Sequence, residues 1–164
     1  MFRQVIFCLI VFITLMSPIS FAMEEATLAV DGLALMPIVV SPTASDSVVS
    51  SANKLAHYLG QITNADFQII RDNEAKGITV GVSTDFPDLA LKDSFDSISV
   101  GEREAYVLKT HSTGVYIIGA TELAVQHAVW EFLYQLGYRQ FFPTETWEVV
   151  PQKKNLKVSL DIYD

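Results

Sequence analysis

The sequence predicts an α+β domain, a mixed β-sheet with two main helices packed on it, preceded by a cleaved signal peptide. Three observations carry this. Apolar residues recur at helical spacing from Val48 to Ile62, and again from Leu123 to Leu136. Between and after these stretches lie short β-rich runs bounded by glycine, proline, asparagine and serine. The first 22 residues, set apart from both patterns, have the layout of an export leader.

In that leader Met1-Phe2-Arg3-Gln4 is a short basic head, and Val5 to Met16 is a nearly unbroken apolar run. Ser17 to Ala22 contains Pro18 and places small residues, Ser20 and Ala22, at its third-last and last positions. Cleavage is expected after Ala22, giving residues 1–22 as signal peptide and 23–164 as the domain. The apolar run is too short to serve as a retained anchor, because a bilayer needs roughly 20 residues. An exported product, periplasmic or extracellular, with no membrane attachment after cleavage, is the expectation.

Composition narrows the function. The 164 residues carry eleven basic against nineteen acidic side chains, and Arg3 lies in the leader. The mature domain is therefore more acidic still, which makes nucleic acid a poor partner. The single cysteine, Cys8, is also in the leader. Disulfides, zinc-thiolate sites and a cysteine nucleophile are thus not expected in the mature domain.

Leu33 to Val40 is expected to be a strand, at an edge or bulged because Pro37 cannot donate to a ladder. Ser41 to Asp46 supplies turn and N-cap chemistry. A helix follows to about Ile62, with Val48, Ala52, Leu55, Leu59 and Ile62 in one stripe, ended by Asn64 in a left-handed conformation. Phe67–Arg71 and Ile78–Val82 are two further strands. Ser83 to Val100, with Asp85, Asp88, Asp93 and Asp96, is expected to form a loop with a helical turn. Tyr106–His111 and Val115–Gly119 form a hairpin around Ser112-Thr113-Gly114. The second helix runs from about Glu122 to Leu136 and stops at Gly137. Tyr138–Phe142, ended by Pro143, and Leu156–Ile162 complete the strands.

The second helix is apolar on two sides. At 100° per residue, Val125, Ala128, Val129, Phe132, Leu133 and Leu136 share the side that covers the sheet. Leu123, His127, Trp130 and Tyr134 share the opposite side, with Glu122, Gln126, Glu131 and Gln135 on the flanks. Large exposed aromatic stripes tend to mark interaction sites, so Leu123, His127, Trp130 and Tyr134 are candidate docking residues, with Arg139 beside them. Cover by the Asp-rich segment or the C-terminal residues is the alternative, and stacking on sugar rings a further one.

Motifs for chemistry are sparse. His57, His111 and His127 stand in no H-x-x-x-H arrangement. His127 and Glu131, one turn apart, fit a helix-surface pair better than a metal site. There is no G-x-S-x-G elbow, and Gly77-Ile78-Thr79-Val80-Gly81 is no phosphate loop. Glu102 with Glu104, and Glu145 with Glu148, are close only in sequence. No catalytic, cofactor-binding or metal-binding residue is assigned, and no cofactor is expected. Lys153, Lys154 and Lys157 are expected to guard a terminal strand.

Two segments carry a family resemblance. Pro37 to Val40 followed by Ala52 to Ala65 resembles the opening of the N-terminal domain of bacterial α-glucuronidases, and the related second domain of β-N-acetylhexosaminidases. Ile117 to Thr121, Ala128 to Leu133, Leu136-Gly137-Tyr138-Arg139-Gln140-Phe141-Phe142-Pro143 and Trp147 to Pro151 resemble its closing half. Departures are Asn64 in place of a glycine, no Arg-Gly within Glu122–Gln126, and Gln140 in place of a frequent tryptophan. The resemblance implies a non-catalytic accessory domain that packs against a catalytic (β/α)₈ barrel of the same or a companion polypeptide, with the catalytic carboxylates in that barrel. On this reading Asp164 stands where such a barrel begins, and polysaccharide is a second candidate partner. The competing expectations are a free-standing carbohydrate- or protein-binding module of the cell envelope, and a small hydrolase in its own right.

Overall fold

In the computed structural model the described residues are 24–89, 91, 95, 104–143 and 145–164. The expected leader lies outside them, as does half of the Asp-rich segment, including Asp93 and Asp96. The described residues form a mixed α+β fold of eleven strands and two long helices, together with two single 3₁₀ turns at Ser83–Asp85 and Glu145–Trp147. The main sheet has six strands. Strands β4 (Ile69–Arg71), β3 (Ile38–Val40), β5 (Gly77–Val82) and β7 (Gly114–Gly119) run parallel in that spatial order. Antiparallel β6 (Tyr106–His111) and β11 (Asp161–Tyr163) extend it beyond β7.

Both helices lie on one face of this sheet, against each other. Helix α1 (Asp46–Thr63) crosses from β3 to β4, and all five residues of its predicted stripe are buried. The Ser45 hydroxyl caps its first turn by accepting from the Val48 amide at 3.4 Å. Asn64 closes it at φ 61°, donating its N–H to the Gly60 carbonyl. Helix α2 (Glu122–Gln135) follows β7 and is capped by Thr121, whose hydroxyl accepts from the Ala124 amide at 3.2 Å. Its sheet-side residues Val125, Ala128, Val129, Phe132, Leu133 and Leu136 are buried as their spacing predicts. The other sheet face carries a smaller cluster of Phe86, Leu91, Val107 and Ile118, so β6 and β7 alternate cleanly between two apolar layers.

The structure departs from the sequence pattern in several strands. Leu33–Val40 is not one strand, and β3 is interior rather than at an edge. Pro37 lies just before the ladder, and its carbonyl accepts from the Ile78 amide at 3.0 Å, so the missing N–H costs nothing. Leu33–Ala34 (β2) instead pairs with β1 (Ala26–Val30), a strand absent from the sequence reading, through a turn in which Asp31 and Gly32 have φ of 50° and 78°. Leu156–Ile162 also divides. Leu156–Val158 (β10) pairs with β1, and after Ser159 and Leu160 the chain crosses into the main sheet as β11.

The end of α2 fixes where the next segment runs. Gly137, at φ 101°, donates to the Tyr134 carbonyl at 2.9 Å, and the Tyr138 amide donates to the Leu133 carbonyl at 3.0 Å. This is the paired hydrogen bonding of a Schellman cap. Lys153 adds its ammonium to the Leu136 carbonyl at 2.8 Å, a cation at the negative helix end rather than a strand guard. The chain then reverses and Tyr138 enters the core with no exposed surface. Gly137→Ala is expected to cost about 1–2 kcal/mol, the penalty of a side chain in a left-handed conformation, measured by urea denaturation. An unchanged midpoint would show that the reversal does not need glycine.

Candidate functional site

Tyr138 is the centre of an aromatic seam between the two helices. The Trp130 indole stacks on it with ring centres 5.7 Å apart and planes 29° apart. Tyr58, from α1, packs on Tyr138 at 4.7 Å and on Trp130 at 5.6 Å. Tyr134 meets Tyr138 edge-on at 6.4 Å. Such pairs add about 0.5–1.5 kcal/mol each beyond their burial. The hydroxyls run outward in a chain: Tyr138 donates to Tyr58 at 3.4 Å, and Tyr58 donates to Glu148 Oε1 at 3.1 Å. Gln140 Nε2 donates to the same carboxylate oxygen at 3.1 Å.

Glu148 and Gln140 face each other across a short hairpin, β8 (Arg139–Gln140) and β9 (Glu148–Val149). The hairpin replaces the single strand expected over Tyr138–Phe142. Its connection carries the most exposed aromatic group in the fold. Phe141, Phe142 and Trp147 are 66%, 59% and 52% exposed, with Phe142 and Trp147 in edge-to-face contact at 5.2 Å.

The predicted docking residues do not form one uniform surface. Leu123 and Tyr134 are exposed, at 46% and 39%. Trp130 is half-buried and packs against the core cluster. His127 is half-buried and pairs through Nδ1 with Glu104 at 3.3 Å, not with Glu131, which accepts from Gln135. Arg139 lays its guanidinium over the Tyr134 ring, 4.8 Å from its centre, and donates to the Tyr134 and Tyr138 carbonyls at 2.7 and 2.6 Å. It thus tethers the hairpin to the end of α2. Sequence reading missed the roles of Tyr58, Tyr138 and the exposed aromatic tip, and weighed Glu148 only as a neighbour of Glu145. Tyr58 falls outside the α1 stripe, and nothing in its spacing pairs it with a residue 80 positions away.

Along the α1 side of the seam runs an open cleft of about 470 Å³, lined by Ser50, Asn53, Lys54, His57, Tyr58, Trp130 and Gln140. Asn53 and Lys54 are exposed and form no side-chain hydrogen bond or ion pair among the described residues. Among the described residues no three His, Cys, Asp or Glu side chains converge as metal ligands, and no helix is long and apolar enough to cross a membrane. Of the two carboxylate pairs close in sequence, Glu102 and the Glu145 side chain lie outside the described residues.

Burial raises three phenols, Tyr138, Tyr106 and Tyr116, the first two most strongly. Tyr138 is pushed well above the ordinary tyrosine range, first by loss of water and then by its hydrogen bond to Tyr58. Tyr106, buried and donating to Asp164 at 3.1 Å, is pushed up to about 12, again chiefly by burial. A phenol whose folded pKa exceeds its unfolded value stabilises fully below about pH 10 and loses that contribution as pH rises through the folded value. Stability should therefore fall between about pH 10 and about pH 12, and ultraviolet absorbance should show Tyr138 and Tyr106 ionising after the exposed tyrosines. Simultaneous ionisation of all tyrosines in the folded chain would contradict their burial.

No family model and no curated protein matches the chain by sequence. Solved structures do resemble its fold. The chain is similar to part of BtGH115A, a family GH115 4-O-methyl-alpha-glucuronidase with specificity for decorated arabinogalactans. The TM-score is 0.58 at 17% identity, over 84% of this chain but 18% of that one. A GH138 enzyme targeting pectin rhamnogalacturonan II is similar at TM-score 0.44 and 10% identity, over 62% of this chain and 13% of that one. CpGH84D is similar at TM-score 0.44 and 11% identity, over 84% and 22% of the respective chains. The chain therefore spans less than a quarter of the length of each.

Proposed function

We propose that this chain is an exported, non-catalytic accessory domain of a glycoside-hydrolase-like protein, bracing a catalytic (β/α)₈ barrel in polysaccharide degradation. Residues 1–22 direct export and are removed, leaving the domain in the periplasm or outside the cell. The observation that carries the reading is a set of large apolar side chains left open on a fold that has a core of its own. Leu123 and Tyr134 on α2 and Phe141, Phe142 and Trp147 on the hairpin are all at least 39% exposed, although the domain buries a continuous core. Isolated exposed apolar residues need no explanation, but a cluster of large aromatics on a rigid hairpin fits an interface.

The shared fold supports the identity of the cover. BtGH115A contains a segment with this architecture inside a chain more than five times as long as the matched part. Packing onto a barrel is what the family resemblance implies for such a segment. Trp130 contributes from beneath, as part of the seam that stiffens α2. Arg139 fixes the hairpin against α2, and His127 with Glu104 lies at the margin of the face.

The double variant Leu123→Glu, Phe142→Glu should retain the thermal midpoint of the parent within a few degrees, because both side chains are exposed. Co-purification with a barrel encoded in the same or a companion polypeptide should be lost. A barrel that binds the double variant as tightly as the parent would overturn the assignment of this face. The purified chain alone should not turn over aryl glycosides, and measurable turnover would rescue the reading as a small hydrolase.

A further inference from the structure

We infer that the cleft between α1 and the β8–β9 hairpin binds a pyranose ring of an oligosaccharide. This inference does not rest on barrel docking. Its volume of about 470 Å³ lies within the roughly 300–1,000 Å³ of small-molecule sites. A pyranose offers an apolar face of C–H groups and a rim of hydroxyls, each both donor and acceptor. The cleft matches both parts. Trp130 and Tyr58 supply half-buried aromatic surface that the core holds rigid through Tyr138. Around them stand Asn53, Gln140 and His57, which offer amide and imidazole groups of both polarities, with Lys54 at the rim.

The polar lining is partly committed and partly available. Gln140 gives its amide N–H to Glu148, which leaves its carbonyl oxygen for a ligand hydroxyl. His57 is engaged with Gln61 at 3.1 Å. Asn53 and Lys54 have no partner among the described residues, so ligand hydroxyls would meet them without displacing an internal bond. Lys54 is the one lysine of the lining, while Ser50, Asn53, Tyr58 and Gln140 offer hydroxyl and amide groups, a set suited to hydroxyl recognition. Rings already immobilised by packing lose little freedom on binding.

The test is a nuclear magnetic resonance titration of the purified chain with cellohexaose, xylohexaose and tetragalacturonate in turn. The two indole N–H signals are assigned by means of Trp147→Phe, which lies on the hairpin tip away from the cleft. At least one saccharide should shift the Trp130 indole signal, with a dissociation constant of about 1 mM, as befits one open cleft. Asn53→Ala, at an exposed position with no internal bond to lose among the described residues, should weaken that binding at least threefold with the thermal midpoint unchanged. Gln140→Ala, which also gives up its bond to Glu148, should weaken it likewise. No shift of Trp130 at about 10 mM of any of the three, or shifts indifferent to both variants, would overturn the inference. So would movement of Trp147 alone. Barrel docking is read through Leu123 and Phe142, neither of which lines the cleft, so either idea can fail while the other stands.

Discussion

The burial of Tyr138 holds the whole site in place. It is the last residue of the helix cap and the first of the segment leading into the hairpin, and it has no exposed surface. From that position it supports Trp130 and Tyr58, which also touch each other, and its hydroxyl starts the chain that ends at Glu148 on β9. Removing the phenol would open a cavity beneath three aromatic rings and unseat the hairpin with them. One backbone reversal at Gly137 thereby couples α1, α2 and β8–β9 into a single rigid corner.

That rigidity explains why the aromatic tip stays outside. A flexible loop bearing Phe141, Phe142 and Trp147 could fold back on the core and hide them. Here Arg139 is tied to the end of α2, Gln140 and Glu148 are tied across the ladder, and the Phe141 amide donates to the Trp147 carbonyl at 3.1 Å. The tip is held away from the interior by the same bonds that order it. The cleft on the α1 side owes its shape to the same corner, since its aromatic walls, Tyr58 and Trp130, both pack on Tyr138.

Much of the fold is legible in the sequence because local signals agree with tertiary ones. The spacing of Val48 to Ile62, the left-handed Asn64, the 106–119 hairpin and the cap at Gly137 each state their own structure. The strand at Ala26–Val30 has a local signal too, since Asp31-Gly32 is a strong hairpin dipeptide, but the aliphatic run beginning at Leu33 masks it. The division of Leu156–Ile162 between two sheets is not legible, because an aliphatic run does not say where it changes partners. Periodicity correctly places Leu123 and Tyr134 away from the sheet. It cannot show that Trp130, on the same side, leans on a residue of α1, because a helical wheel knows nothing of a neighbouring helix. The exposed tip is hidden for a similar reason: an aromatic run ended by proline suggests a buried strand until its pairing partner is known.

If the domain braces a barrel, Leu123, Tyr134 and the hairpin tip are each covered by a second protein surface. Oxidative footprinting of side chains, comparing the chain alone with the chain joined to its barrel, reads that cover residue by residue. Rapid labelling of Leu123, Phe142 and Trp147 is expected in the isolated chain, and strong protection of all three in the joined protein, with Tyr138 protected in both. Equal labelling of the three side chains in the two states would refute the bracing role.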